Sequence, residues 1–163
     1  ENCLDRKDLG YDLDGGYAEL VSVPASNVYH IPAELSYDEA AAIPIAFKTA
    51  WRMLVTKAAV KPGNTILVHA AGSGVGSAAI VIGKLLGCRI ITTAGADWKL
   101  EKAISLGANY GINYEKNQNW AEEIYDVTAG EGVDVIIDSI GQPVWKESMK
   151  SLKKQGMLTR KLY

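Results

Sequence analysis

HAAGSGVGSAA, residues 69–79, places three glycines within five positions, at Gly72, Gly74 and Gly76. The apolar run TILVHA (65–70) leads into it, and VGSAAIVIGKLLG (75–87) follows with Val75, Ala79, Ile82 and Leu86 three or four residues apart. The first run predicts a strand buried on both faces, as in a parallel sheet. The second predicts a helix that stops at Gly87. A loop passing from strand to helix points free backbone N–H groups outward at the positive end of the helix dipole, so it favours an anion. Side chains there would block close approach, which is the reason for glycine. Gly76, Ala78 and Ala79 would also let the helix pack tightly on the sheet.

The spacing Gly72–Ser73–Gly74–Val75–Gly76 is G-x-G-x-G, not the G-x-G-x-x-G usual for dinucleotides. It fits the pyrophosphate of a dinucleotide, the methionine moiety of S-adenosylmethionine, or a glycine turn with no ligand. Its place after a buried strand and before a helix favours a ligand. The same alternation continues along the chain. RIITTA (89–94) reads as a strand, WKLEKAISLG (98–107) as a helix with Asp97 as its N-cap, and YGINY (110–114) as a short strand. NWAEEIYDVTAG (119–130) reads as a helix, VDVIIDSIG (133–141) as a strand ending in a turn, PVWKESMKSLKK (143–154) as a helix and GMLTRKL (156–162) as a fifth strand. This order predicts an α/β fold: a Rossmann-type, doubly wound parallel sheet with right-handed crossovers. Ligands of such sheets bind beyond the carboxyl ends of the strands, the edge that carries the glycines.

Residues 1 to about 60 have a different texture. DGG (14–16) predicts a turn, YAELVSVP (17–24) a strand, and NVYHIP (27–32) a second extended piece. Ser36 followed by Glu39 forms a capping-box pattern that starts a helix over YDEAAAI. Pro44 is expected to interrupt it, with a second helix over IAFKTAWRMLVTKA (45–58).

The tip of the second strand bears on the ligand. An acid there would bond the adenosine ribose hydroxyls. Here RIITTA runs into Gly95–Ala96, and Asp97 is better placed as a cap. Without the carboxylate a 2′-phosphate is not repelled, and Lys99 follows within reach to attract it. Lys99 also fits an ordinary exposed helix lysine. Together these features favour NADP(H) over NAD(H).

Bulk properties set the outer bounds. The chain has 163 residues, 48% hydrophobic and 22% charged, with a formal net charge of −2. That is an ordinary globular balance with no general pull toward nucleic acid or an anionic membrane. Lys153–Lys154 and Arg160–Lys161 read as solvated surface. No apolar run reaches the ~18 residues of a membrane span. The start, ENCLDRKDLG, is polar and lacks an initiator Met, so the chain is expected to be part of a longer product. Two cysteines, Cys3 and Cys88, are too few for a disulfide framework and suit a reducing, cytoplasmic location. Cys88 reads as a small core residue. His69 reads as a core or loop-packing histidine, and no residue is assigned a catalytic role.

DGGYAELVSVP (14–24), IPAELSYDEAAAIPIAFKTAW (31–51), VKPGNTILVHAAGSGVGSAAI (60–80), KLLGCRIITTAGADWKLEKAISLGANYGINY (84–114) and GEGVDVIIDSIG (130–141) resemble, in one collinear order, the medium-chain dehydrogenase/reductase superfamily of zinc alcohol dehydrogenases and quinone oxidoreductases. The resemblance implies an NAD(P)H-dependent oxidoreductase that moves a hydride between nicotinamide and an alcohol or carbonyl, quinone or enone. It implies that residues 1–43 are a remnant of the GroES-like catalytic domain with a connecting helix. Residues 44–163 would then be a C-terminally incomplete Rossmann domain. By the same resemblance Gly72, Ser73, Gly74, Val75 and Gly76 hold the pyrophosphate. Ala94, Gly95 and Lys99 surround the adenosine ribose and its 2′-phosphate. Tyr114 touches that phosphate or the adenine, or else packs as a strand-end aromatic. Ser139, Ile140 and Gly141 line the groove toward the nicotinamide ribose, and Thr49 sits beside the nicotinamide. Ala70 stands where relatives commonly have glycine.

The departures from the family carry equal weight. Where zinc alcohol dehydrogenases have a cysteine four residues before the threonine matching Thr49, this chain has Ile45, which cannot ligate a metal. Cys3 resembles the last cysteine of a structural zinc lobe whose partners would lie upstream, so any zinc belongs to the full-length parent. The missing sixth strand leaves a sheet edge through which a homo-oligomer could form. An S-adenosylmethionine-dependent transferase and a non-catalytic nucleotide-binding module are the alternative readings.

Overall fold

The computed structural model describes residues 7–160. Cys3, and Lys161 and Leu162 at the end of the expected fifth strand, lie outside them. The chain divides into two compact units, residues 1–37 and 38–163. The boundary expected at 43/44 thus falls inside a helix.

In residues 7–37, neither YAELVSVP nor NVYHIP forms a strand. The local structure is a turn in which the Asp8 carbonyl accepts from the amides of Tyr11, Asp12 and Leu13. A single bridge joins Leu9 to Leu13, and a 3-10 turn covers Ala25–Asn27. A strand needs a neighbour to take its backbone groups. Among the described residues 17–32 have none, and Tyr17, Leu20 and Tyr29 are exposed. The chain reverses at Gly10, with φ +82°, ahead of the expected DGG turn, where it bends at Gly16.

Helix α1, Tyr37–Trp51, runs straight through Pro44, against the expected break. Proline there removes one helical N–H and leaves the Ala40 carbonyl without its partner. Pro44 is exposed, so water can serve that carbonyl. The helix then widens into a π turn over Arg52–Lys57, closed by the Ala58 amide on the Met53 carbonyl at 3.0 Å. Ala50, Met53 and Leu54 are its buried face.

The rest follows the expected alternation: β1 Thr65–Val68, α2 Gly74–Leu85, β2 Arg89–Ala94, α3 Asp97–Leu106, β3 Tyr110–Asn113, α4 Trp120–Val127, β4 Val133–Asp138, α5 Trp145–Ser151 and β5 Leu152–Arg160. All pairings are parallel, in the order β3-β2-β1-β4-β5. β5 starts earlier than expected because its pairing with β4 shifts register between Val133 and Val135, where Gln155 takes φ +68°. Such a bulge inserts extra residues into one strand.

The continuous apolar strands are split between two cores. Ile66, Val68, Ile90, Val135 and Ile137 face α2, α3 and the π turn. Leu67, Ile91, Ile112, Val133 and Ile136 face Trp120 and Ile124 of α4. Alternate side chains of one strand point to opposite faces, so burial on both faces favours near-continuous apolarity. The fold is therefore a doubly wound α/β sheet. After β3 the chain returns to the far side of β1, so the strand order reverses between β1 and β4. The crevice at their carboxyl ends is the switch point where such sheets receive ligands. No helix among the described residues is long and apolar enough to cross a membrane.

Candidate functional site

The loop leaving β1 is held by its own backbone. His69 N–H donates to Ile137 at 3.1 Å, Ala71 N–H to Thr93 at 3.1 Å and Ser73 N–H to Ala70 at 2.8 Å. Ala70 sits at φ +54°, a conformation glycine reaches without penalty. Ser73 is the N-cap of α2, and its Oγ accepts from Gly76 N–H at 3.0 Å. The expected set of free amides is thus one smaller: Gly76 is satisfied internally. The amides of Gly74 and Val75 begin the helix with no carbonyl a turn behind them.

Gly76 is required for packing. A Cβ on it would overlap the Ala70 carbonyl oxygen and come within 2.9 Å of the carbonyl carbon. At Gly72 a Cβ would stand 3.0 Å from Cδ of Lys99, whose aliphatic stem crosses that glycine. The Lys99 ammonium lies 5.4 Å from the centre of the Trp98 ring. Gly72 and Lys99 are therefore neighbours.

At the β2 tip, Ala94 is buried and its carbonyl accepts from Tyr114 N–H at 3.2 Å. The Tyr114 ring covers Gly95, where a Cβ would stand 2.9 Å from the phenol oxygen. The same ring packs on the α4-side core. Asp97 is not the cap of α3. Ala96 holds that position with no side-chain bond, and Asp97 is the first helical residue. Its carboxylate accepts from Lys116 Nζ at 2.6 Å and Asn113 Nδ2 at 2.7 Å. The Lys116 bond first, then that of Asn113, holds its carboxyl below the usual range.

At the end of β4, Ser139, Ile140 and Gly141 form a turn on the buried Asp138, whose Oδ1 accepts from the amides of Ile140 and Gly141, each at 2.8 Å. β4 therefore stops at Asp138, and the turn expected at the end of VDVIIDSIG covers the three residues that follow. A cleft of about 350 Å³ is lined by Ala42, Ile45 and Ala46 of α1, by Ser73, Gly74 and Val75, and by Ser139. The structure thus brings the glycine loop and the β4 turn to one opening. Thr49 lies one helical turn from Ile45, outside this lining.

Behind the loop, His69 is 1% exposed. Nδ1 is 2.9 Å from Thr93 Oγ1 and Nε2 is 2.9 Å from Ser148 Oγ. The Trp120 ring meets it edge-on, with centres 5.3 Å apart. Burial lowers its pKa from 6.5 to about 4, with the Asp138 charge opposing, so the ring is neutral. His69 is a core histidine, and Cys88 is buried with its thiol pushed up by burial and by Asp134.

Sequence reasoning missed Asp138 and Lys116. Asp138 carried a visible signal, an acid closing an apolar strand just before a glycine turn. Lys116 carried none, because its partner lies 19 residues away. The residues present fit a dinucleotide: Gly74 and Val75, first residues of α2 with no helical carbonyl behind their amides, line the cleft, and the acid at the strand tip, Asp97, is already engaged.

Residues 74–160 match the zinc-binding dehydrogenase family. A zinc-type alcohol dehydrogenase-like protein of Schizosaccharomyces pombe is 36% identical over 153 residues, 93% of this chain and 44% of that protein. Among solved structures, an NAD-dependent alcohol dehydrogenase superposes with TM-score 0.93 at 42% identity, covering 97% of this chain and 46% of the other. A mycobacterial protein in complex with NADPH gives TM-score 0.79 at 30% identity, covering 85% and 42%. The chain belongs to the medium-chain dehydrogenase/reductase superfamily. It spans less than half the length of each of these relatives.

Proposed function

We propose that this chain is the dinucleotide-binding portion of an NAD(P)H-dependent oxidoreductase acting on a small molecule: an alcohol or carbonyl, a quinone or an enone. The observation that carries the reading is the loop from Ser73 to Gly76. Gly74 and Val75, the first residues of α2, line the same cleft as Ser139, at the point where the strand order reverses. The nicotinamide supplies the hydride chemistry when bound. The chain's residues supply position. Gly74 and Val75 donate to the pyrophosphate at the positive end of α2. Gly95 leaves room for Tyr114 beside the adenosine. Ser139 borders the route toward the nicotinamide, and Ile45 gives that cleft an apolar wall. NADP(H) is favoured over NAD(H) because the nearest acid, Asp97, is already engaged by Lys116 and Asn113. One relative is named NAD-dependent and another holds NADPH, so the choice rests on this strand tip. The remaining assignments, a cytoplasmic location and pairing of two copies through the outer edge of β5, belong to the same proposal.

Thermal denaturation with NADPH, NADH and S-adenosylmethionine tests it. At a 100-fold excess over Kd, binding adds about 2.7 kcal/mol. At this size the midpoint rises roughly 5–10 °C. Stabilisation by S-adenosylmethionine alone, or by none of the three, defeats the reading. Equal stabilisation by NADH and NADPH defeats the preference for the phosphorylated cofactor.

A further inference from the structure

Asp138 is fully buried, yet only one of its carboxylate oxygens is used. Oδ1 accepts both Ile140 N–H and Gly141 N–H at 2.8 Å, while Oδ2 has no hydrogen-bond partner. A buried carboxylate with an orphaned oxygen is expensive, and an apolar residue ending β4 would serve the core better. What the oxygen does instead is local. An aspartate that takes the amides two and three residues onward closes a side-chain turn and fixes the backbone between.

That backbone has little else to hold it. Gly141 adopts φ +92° and ψ −128°, a region that essentially only glycine populates. The Arg160 guanidinium lies against its Cα, so a Cβ would strike that group. The Gly141 carbonyl then accepts from Val144 N–H at 3.1 Å and starts the 3-10 turn Gln142–Val144 leading into α5. Ser139, the first residue of the held segment, lines the cleft opposite Ser73 and Gly74.

We propose that Asp138 is a positioning residue for cofactor binding: its Oδ1 clamps the amides of Ile140 and Gly141, so that Ser139 and the turn after β4 form a fixed wall of the dinucleotide cleft. The inference rests on the dinucleotide reading of that cleft. Binding sites need their supporting groups held to a fraction of an ångström, and a buried acceptor does this where a loop alone does not.

Asp138→Asn and Asp138→Ala separate the clamp from the charge. Asparagine keeps an oxygen where Oδ1 stands; alanine removes it. Three quantities are read in the full chain: amide hydrogen exchange at Ile140 and Gly141, NADPH dissociation constant by fluorescence titration, and thermal midpoint. In Asp138→Asn both amides stay protected and NADPH affinity stays within about threefold. In Asp138→Ala exchange at those two amides accelerates about tenfold or more while β1 and β4 amides stay protected, and NADPH affinity falls about tenfold. The proposal is overturned if Asp138→Ala lowers the midpoint yet, where folded, binds NADPH like the parent, or if Asp138→Asn is as impaired as alanine. Should the alanine variant not fold, the asparagine variant decides alone: folded with these amides unprotected or NADPH affinity lost, it overturns the proposal. A parent chain that binds no dinucleotide defeats the reading of the cleft and this inference with it. Normal parent binding with an unaffected alanine variant defeats the clamp only.

Discussion

His69→Gln, followed by urea denaturation across pH 7.5 to 4.5, isolates the ionisation of one buried ring. His69 sits between Thr93 and Ser148 hydroxyls at 2.9 Å on either nitrogen, under the edge of Trp120. Its pKa is about 4 because burial disfavours the imidazolium; the Asp138 charge works the other way and does not prevail. An unfolded chain returns the ring to about 6.5. Between these values the unfolded state binds the extra proton, so stability is complete above pH 6.5 and is lost as pH falls toward 4. The difference of roughly 2.5 pKa steps corresponds to about 3 kcal/mol at pH 4, of which about 2 kcal/mol has gone by pH 5. That is a large share of a domain's net stability. The parent should therefore lose about 2 kcal/mol more than His69→Gln between pH 7.5 and 5, although the variant starts lower. Acidic groups common to both proteins cancel in the difference. Equal pH slopes for the two, or an imidazole that titrates near 6.5 by NMR while the chain is folded, would refute the argument.

Two further substitutions probe the cleft. Gly76→Ala puts a methyl into the Ala70 carbonyl, so α2 must move off β1; a loss of about 3 kcal/mol and of NADPH-induced stabilisation is expected by calorimetry. A variant as stable as the parent would show that the helix is free to shift. Lys116→Met leaves the Asp97 carboxylate, at the proposed adenosine end, with Asn113 as its remaining partner. Stability should be unchanged, since the pair is exposed, but NADPH should bind several-fold more weakly while NADH is unaffected, an effect that fades with added salt. Equal changes for both cofactors would remove Lys116 from the discrimination, and NMR should show the Asp97 carboxyl moving back up toward its ordinary range.

What could be read from the residues alone, and what could not, divides along a physical line. TILV, RIITTA and VDVIID gave away a parallel sheet because strands covered on both faces are mostly apolar, and the buried Thr92 and Thr93 have hydrogen-bond partners of their own. The glycine loop was legible for a similar reason: close backbone approach excludes side chains, and Gly76 on Ala70 is such an approach. YAELVSVP alternates as a strand should, but alternation describes only the strand's own half of a pairing, and no neighbour takes the other half among the described residues. Pro44 broke a local rule that an exposed helix face tolerates. The site's charged residues divide the same way. Asp97 was assigned to the helix it begins because caps are local, whereas Lys116 and Asn113 reach it from β3 and beyond. Asp138 was within reach of local reasoning, since the amides it binds are two and three residues away. VDVIIDSIG reads as a strand ending in a turn without showing which residue closes that turn; Asp138 does so. Backbone-driven features of a dinucleotide cleft are thus written in short windows of sequence. The side-chain charges proposed to set which dinucleotide it prefers come together only when distant strand ends meet, as Lys116 meets Asp97.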